Sequence, residues 1–168
     1  MQTEMVEIHN DWNGYSDITP ILRHYKLQIK QQKLVGHAHV AVGGYGAGGV
    51  HQQQTTSVTI PAAVTNKFLA ALAKTPLQVG IYQPKIDRTE DYPSIKIKVE
   101  NDRQQVIFSN QSQASNYVPW KETVTQANKT TAYISDSALP AQALQIINPY
   151  IDRAGIDQIL QRRRQINK

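Results

Sequence analysis

The feature that most constrains the fold of this chain is a two-residue alternation of apolar and polar side chains. Over residues 25–30, the odd positions are apolar or aromatic and the even positions are polar. Such alternation is typical of a β-strand that packs one face on a core and exposes the other to water. The pattern recurs over residues 34–42 and 95–100. The chain is therefore predicted to contain an antiparallel sheet that is wetted on one side.

The other predicted elements fall into two groups of strands, each followed by helix. Residues 25–60 predict a three-stranded meander, and Pro61 begins a helix over 61–75 with an apolar stripe at Val64, Phe68 and Leu72. A short strand over 77–82, a hairpin over 95–108 and a second hairpin over 121–134 form the later group. Helix is predicted over 138–165, with an interruption at Asn148-Pro149.

Together these elements predict an α+β fold. We expect an antiparallel sheet of about six to seven strands in two groups, with one helix after the first group and one or two helices at the C-terminus. Residues 1–22 lack a sustained period and are interpreted as a loosely ordered lead-in. Residues 23–150 form a single α+β domain, and 151–168 form a basic C-terminal helix or tail.

Composition excludes several classes of protein. The chain of 168 residues has no cysteine, so it has no disulfide framework, thiol nucleophile or cysteine-ligated metal. No apolar stretch approaches the roughly 18 residues of a membrane span, and the acidic N-terminus does not resemble a signal peptide. A cytoplasmic protein without membrane association is therefore expected. The formal net charge of +5 favours encounters with nucleic acid or acidic proteins.

Three histidines form the one candidate metal site. His37 and His39 are two apart on a predicted strand and therefore share a face, and His51 follows the glycine-rich loop. A His-x-His pair with a third histidine can ligate zinc or a similar metal. However, no Asp or Glu occurs between Asp17 and Asp87 to orient the imidazoles. Three solvent-exposed histidines are the favoured interpretation, no cofactor is predicted, and a metal-dependent enzyme is kept as an alternative.

No other motif predicts catalysis. Gly44, Gly46 and Gly49 formally match the spacing of a dinucleotide-binding loop, but no helix or βαβ unit follows them. No serine lies in a Gly-x-Ser-x-Gly elbow. The sequence thus favours a protein that binds without catalysing, while leaving its enzymatic status open.

Two segments are candidate partner-binding surfaces. Tyr117 and Trp120 lie in a proline-stiffened aromatic loop, and large aromatic side chains in loops can anchor a partner. Arg162, Arg163 and Arg164 give the C-terminal tail a positive charge that could neutralise phosphates, or that simply complements the helix dipole. The predicted function is a non-catalytic binding or protein-interaction module whose partner is another protein. A nucleic-acid-associated protein that uses the basic tail is an alternative, and the sequence leaves the oligomeric state open.

The order of elements resembles that of small uncharacterised bacterial α+β domains. The resemblance rests on Asp91-Tyr92-Pro93, which leads into the apolar alternation over 95–99, and on the serine- and proline-led helix over 137–147. It implies a fold but no activity and no functional residue.

Overall fold

A computed structural model describes residues 2–11, 21–43, 52–74, 78–79, 94–110, 120–126, 128–135 and 138–166. The strands, in chain order, are β1 (Met5–Asp11), β2 (Ile21–Lys30), β3 (Lys33–Val42), β4 (Gln52–Ile60), β5 (Gln78–Val79), β6 (Ser94–Glu100), β7 (Gln104–Ser109), β8 (Trp120–Gln126) and β9 (Lys129–Ser135). The helices are α1 (Ala62–Ala73), which follows β4, then α2 (Leu139–Ile151) and α3 (Asp157–Ile166), joined by a π-helical turn at Asp152–Ile156.

The nine described strands form one sheet in the order β4-β3-β2-β1-β6-β7-β9-β8-β5. Most neighbours are antiparallel, whereas β7 pairs with β9 and β5 pairs with β8 in parallel. The predicted α+β class and the mainly antiparallel sheet are confirmed. The parallel pairs were not predicted, because pairing between distant strands leaves no local pattern in the sequence.

β1 lies in the middle of this sheet, between β2 and β6. The sequence interpretation placed these residues in a loosely ordered lead-in, and the structure corrects this for Met5–Asp11. Only two apolar side chains, Val6 and Ile8, alternate in β1, which is too short a pattern to identify a strand. Both are fully buried because neighbours on either side enclose them.

One face of the sheet is covered by helices, and we call it the core face. Tyr25 donates a hydrogen bond from its hydroxyl to Asn148 Oδ1 of α2 at 3.1 Å. Burial raises the pKa of the Tyr25 hydroxyl well above its usual value. Arg23 makes a bidentate ion pair with Asp152, at 2.7 and 3.0 Å. The predicted apolar face of β3 is confirmed, since its members are all buried, namely Leu34, Ala38, Val40 and Val42.

The C-terminal helices differ from the prediction in one detail. α2 continues through Pro149, whereas the sequence suggested an interruption there. The irregularity lies instead in the π-helical turn, which contains Gly155. A Cβ atom added to Gly155 would lie 2.5 Å from Val40 Cγ2. The close approach of the helix backbone to β3 therefore requires a residue without a side chain at this position. No helix among the described residues is long and apolar enough to cross a membrane.

Candidate binding face

The face of the sheet opposite the core face, which we call the open face, carries polar side chains. The helix contacts described above, from Arg23, Tyr25 and Gly155, all lie on the core face. On the open face, Lys26 and Lys96 are exposed. Alternation places every second residue of a strand here, as the sequence predicts for a sheet wetted on one side.

A row of histidines crosses the open face. His9 of β1 pairs with His24 of β2, and His24 pairs with His39 of β3. The ring centroids of His9 and His24 are 4.6 Å apart, with the rings tilted by 56°. At the two ends of the row, Lys96 of β6 is opposite His9 and Thr55 of β4 is opposite His39. This row arises only from strand register, since its histidines lie 15 residues apart in sequence.

A second row lies directly beside the first. His37 pairs with Lys26, Lys26 pairs with Glu7, and Glu7 pairs with Lys98. His37 is exposed, like His9. The open face thus presents a row of imidazoles beside a second row in which the Glu7 carboxylate lies between Lys26 and Lys98. His9 is the residue that joins the two rows.

Glu7 is the charged centre of these rows. Its carboxylate accepts hydrogen bonds from His9 Nε2 at 3.0 Å and from Lys98 Nζ at 2.9 Å. These hydrogen bonds lower the pKa of Glu7 to about 2, with the His9 contact the larger cause. The same carboxylate raises the pKa of Lys98. Glu7 is thus ionised and compensated at neutral pH.

The positive charges of Lys26 and Lys96 on the open face are not compensated in this way. Within the described residues, neither Lys26 nor Lys96 makes an ion pair with a carboxylate. Glu100, at the end of the same face, is already paired with Lys129 at 2.9 Å. The described side chains of the open face therefore include free lysines beside imidazoles, whereas Glu7 and Glu100 are engaged by cations.

Of the three histidines considered as metal ligands, the structure describes two, His37 and His39. His37 and His39 share the open face, as predicted, whereas His51 lies outside the described residues. His39 Nδ1 is 3.2 Å from Thr55 Oγ1, so this imidazole is directed at a neighbouring hydroxyl. Among the residues that the structure describes, no three His, Asp or Glu side chains are arranged to hold a metal ion.

The structure describes only part of the two predicted partner-binding surfaces. Trp120 begins β8, near one end of the sheet order, and Tyr117 lies outside the described residues. Arg162 of α3 contacts β4 at the other end, where its Nη2 donates to Gln54 Oε1 at 2.7 Å. Arg163 and Arg164 continue α3, and their side chains are outside the described set. Trp120 and Arg162 therefore lie toward opposite ends of the sheet order.

The sequence analysis did not identify His9 and His24 as members of a site. His24 precedes the first predicted strand and has the same parity as Lys26, so an earlier strand start would have placed it on the polar face. His9 had no such signal, because only Val6 and Ile8 alternate beside it, which is too short a pattern to identify a strand.

No protein-family model matches this chain, and the searches found neither a curated protein nor a solved structure with significant similarity to it. The resemblance to small bacterial domains therefore stays a prediction. Function has to be inferred from the residues of this chain alone.

Proposed function

We propose that this protein is a non-catalytic protein-interaction module whose open face binds an acidic protein surface. The observation that carries the proposal is the histidine row flanked by Lys26 and Lys96, two exposed lysines without a carboxylate partner among the described residues. Uncompensated cations on an exposed surface attract a surface of opposite charge and orient its approach. The net charge of +5 adds a long-range attraction of the same sign.

The charge pattern favours an acidic protein over a nucleic acid. Glu7 lies between Lys26 and Lys98, so the cations of this row are interrupted, whereas the charges of a phosphate backbone are continuous. Sheets that bind single strands also place aromatic side chains among their cations, so that bases can stack. The exposed aromatic side chain described on this face, Tyr133, is three strands from Glu7. A protein surface, whose charges are discrete and mixed, fits this pattern better.

Binding without catalysis is supported by the exposure of His9 and His37. Among the described contacts, the one that most resembles a nucleophile paired with a base is that of Thr55 Oγ1 with His39 Nδ1. This contact lies on the exposed surface. Nucleophilic catalysis requires a base that is oriented by a third group, and no described carboxylate contacts His39. The predicted cytoplasmic location is part of the same proposal.

The basic tail gives weaker support for the nucleic-acid alternative. Arg162 already donates to Gln54, so part of the tail stabilises the contact between α3 and β4. Arg162 is nevertheless exposed, and the test below therefore includes a nucleic-acid probe.

The test uses fluorescein-labelled poly-L-glutamate as the acidic probe, at low ionic strength. The double variant Lys26→Gln/Lys96→Gln is compared with Lys67→Gln/Lys74→Gln, which removes two exposed lysines from the α1 side of the protein. We expect the open-face variant to weaken binding about tenfold, equivalent to about 1.4 kcal/mol, and the α1 variant to weaken it by no more than about twofold. Added salt should weaken binding to the native chain.

Two results would overturn the proposal. Equal losses in the two variants would mean that only net charge attracts the probe. Tighter binding of poly-uridylate than of poly-L-glutamate, with the preference unaffected by Lys26→Gln/Lys96→Gln, would favour the nucleic-acid alternative.

A further inference from the structure

β4 ends the sheet and offers a long edge. It has nine residues and pairs with β3 along its whole length without a bulge. Terminal strands are ordinarily protected from pairing with other chains by charged residues, proline or bulges. β4 contains none of these, because its residues are Gln, Thr, Ser, Val and Ile alone.

The tight turn between β2 and β3 determines which groups of β4 point outward. Gln31 and Gln32 have φ values of 52° and 67°, so they form the two-residue turn whose flanking residues, Lys30 and Lys33, close a hydrogen-bonded pair. Lys33 thus directs its N–H and C=O toward β2, and because these directions alternate along a strand, the next residue, Leu34, directs its own toward β4. Its N–H indeed donates to Thr65 Oγ1, which in turn donates to the carbonyl of Ile60, the β4 partner of Leu34.

The outward-directed residues of β4 are therefore those at odd positions. Their side chains are all exposed, and among the described residues no backbone group outside the sheet bonds to them. The edge presents alternating N–H and C=O groups that an added strand could pair with; the residues concerned are Gln53, Thr55, Ser57 and Thr59.

A polar cleft beside this edge gives it a charge preference. The cleft has a volume of about 550 Å³ and is lined by Gln54, Gln158, Gln161 and Arg162. Gln54 Nε2 donates to Gln158 Oε1 at 2.9 Å and Arg162 donates to Gln54 Oε1, so the amides hold the guanidinium beside β4. An added strand would lie about 4.8 Å beyond β4 and direct every second side chain toward this cleft.

We infer that β4 binds an extended acidic segment of a partner protein as an added strand, with a carboxylate directed at Arg162. Main-chain hydrogen bonds provide affinity in such strand addition, and side-chain pockets provide selectivity. The guanidinium suits a carboxylate because it can donate two parallel hydrogen bonds. A second copy of this chain fits less well, since it brings another Arg162 and another net charge of +5 to the same edge. The inference does not depend on the open face, because no open-face lysine contributes to it.

The test uses three fluorescein-labelled peptides and fluorescence anisotropy. The first peptide alternates Glu with Val and Thr, the second has Gln in place of Glu, and the third is the Glu peptide with alternate backbone nitrogens methylated. We expect the Glu peptide to bind at least fivefold more tightly than the Gln peptide, and the methylated peptide to lose at least tenfold in affinity. Arg162→Gln should abolish the preference for Glu, whereas the matched loss of a cation in Lys67→Gln should preserve it.

Ser57→Pro tests the edge from the protein side. Because the Ser57 N–H points outward, proline there removes an edge donor without removing a bond to β3. This variant should retain its circular dichroism spectrum and bind both unmethylated peptides at least tenfold more weakly. Equal affinity for methylated and unmethylated peptides would overturn the inference whether or not Ser57→Pro folds. A different result would favour self-association and overturn the inference: none of the peptides binds, and the native chain forms concentration-dependent dimers that Ser57→Pro abolishes.

Discussion

Replacing Gly155 by alanine tests how the helices are seated on the sheet. The new Cβ would lie 2.5 Å from Val40 Cγ2, about 1 Å closer than the optimal separation of two carbon atoms. Val40 is fully buried and β-branched, so its methyl group has little freedom to move away. Overpacking of this kind costs about 1–3 kcal/mol, while alanine in a helix is favoured over glycine by about 1 kcal/mol. The net expectation for Gly155→Ala is a loss of about 1 kcal/mol in the free energy of unfolding.

A double-mutant cycle separates the steric clash from the helix preference. Val40→Ala removes the clashing methyl and should alone cost about 2 kcal/mol, because it leaves a cavity. In Gly155→Ala/Val40→Ala the new methyl occupies that cavity, so the double variant should be more stable than the sum of the single losses by at least about 1 kcal/mol. Urea unfolding with linear extrapolation measures each free energy.

The control pairs Gly155→Ala with Val99→Ala, a buried position three strands away from β3, where the effects should add within about 0.5 kcal/mol. The reasoning is refuted if the effects at Gly155 and Val40 also add, or if Gly155→Ala alone stabilises the protein. Either result would mean that the helix can shift away from β3 at little cost.

Three further predictions concern the turn, a buried amide and the open face. Gln31→Asn/Gln32→Gly should raise the free energy of unfolding by about 1 kcal/mol, because both residues have positive φ and Asn-Gly is preferred in this turn; an unchanged urea midpoint would contradict this. Asn110→Ala should lower that free energy by about 1–3 kcal/mol in the same assay, because it leaves the buried N–H of Ile95 without its 2.8 Å acceptor. A loss under about 0.5 kcal/mol would show that another group replaces the amide. The lowered pKa of Glu7 means that its ion pairing stabilises the fold above pH 4.5, its ordinary pKa, and that this contribution is lost as the pH falls toward 2. Thermal melts of Glu7→Gln should therefore show a smaller fall in Tm between pH 4.5 and 2 than those of the native chain, and equal slopes would contradict the assignment.

The sequence was sufficient for the elements whose signal is local. Alternation of apolar and polar residues located β2, β3 and β6 and identified which of their faces is buried, because burial on one side selects side chains with a period of two. α1 was predicted over 61–75 and is observed at Ala62–Ala73, since its apolar stripe and the proline before it are both short-range features. The same alternation predicted that His37 and His39 share an exposed face.

Only the tertiary structure decided which strands from different hairpins are neighbours. β1 contributes two buried side chains, and its central position depends on β2 and β6 enclosing it. The two-residue turn fixes the register of β2 and β3, whereas the order of strands from different hairpins results from packing between segments that are distant in sequence. For that reason the chain alone determined that one face of the sheet would be wet, whereas the fold placed His9, His24 and His39 side by side on it and directed Arg162 to the edge of β4.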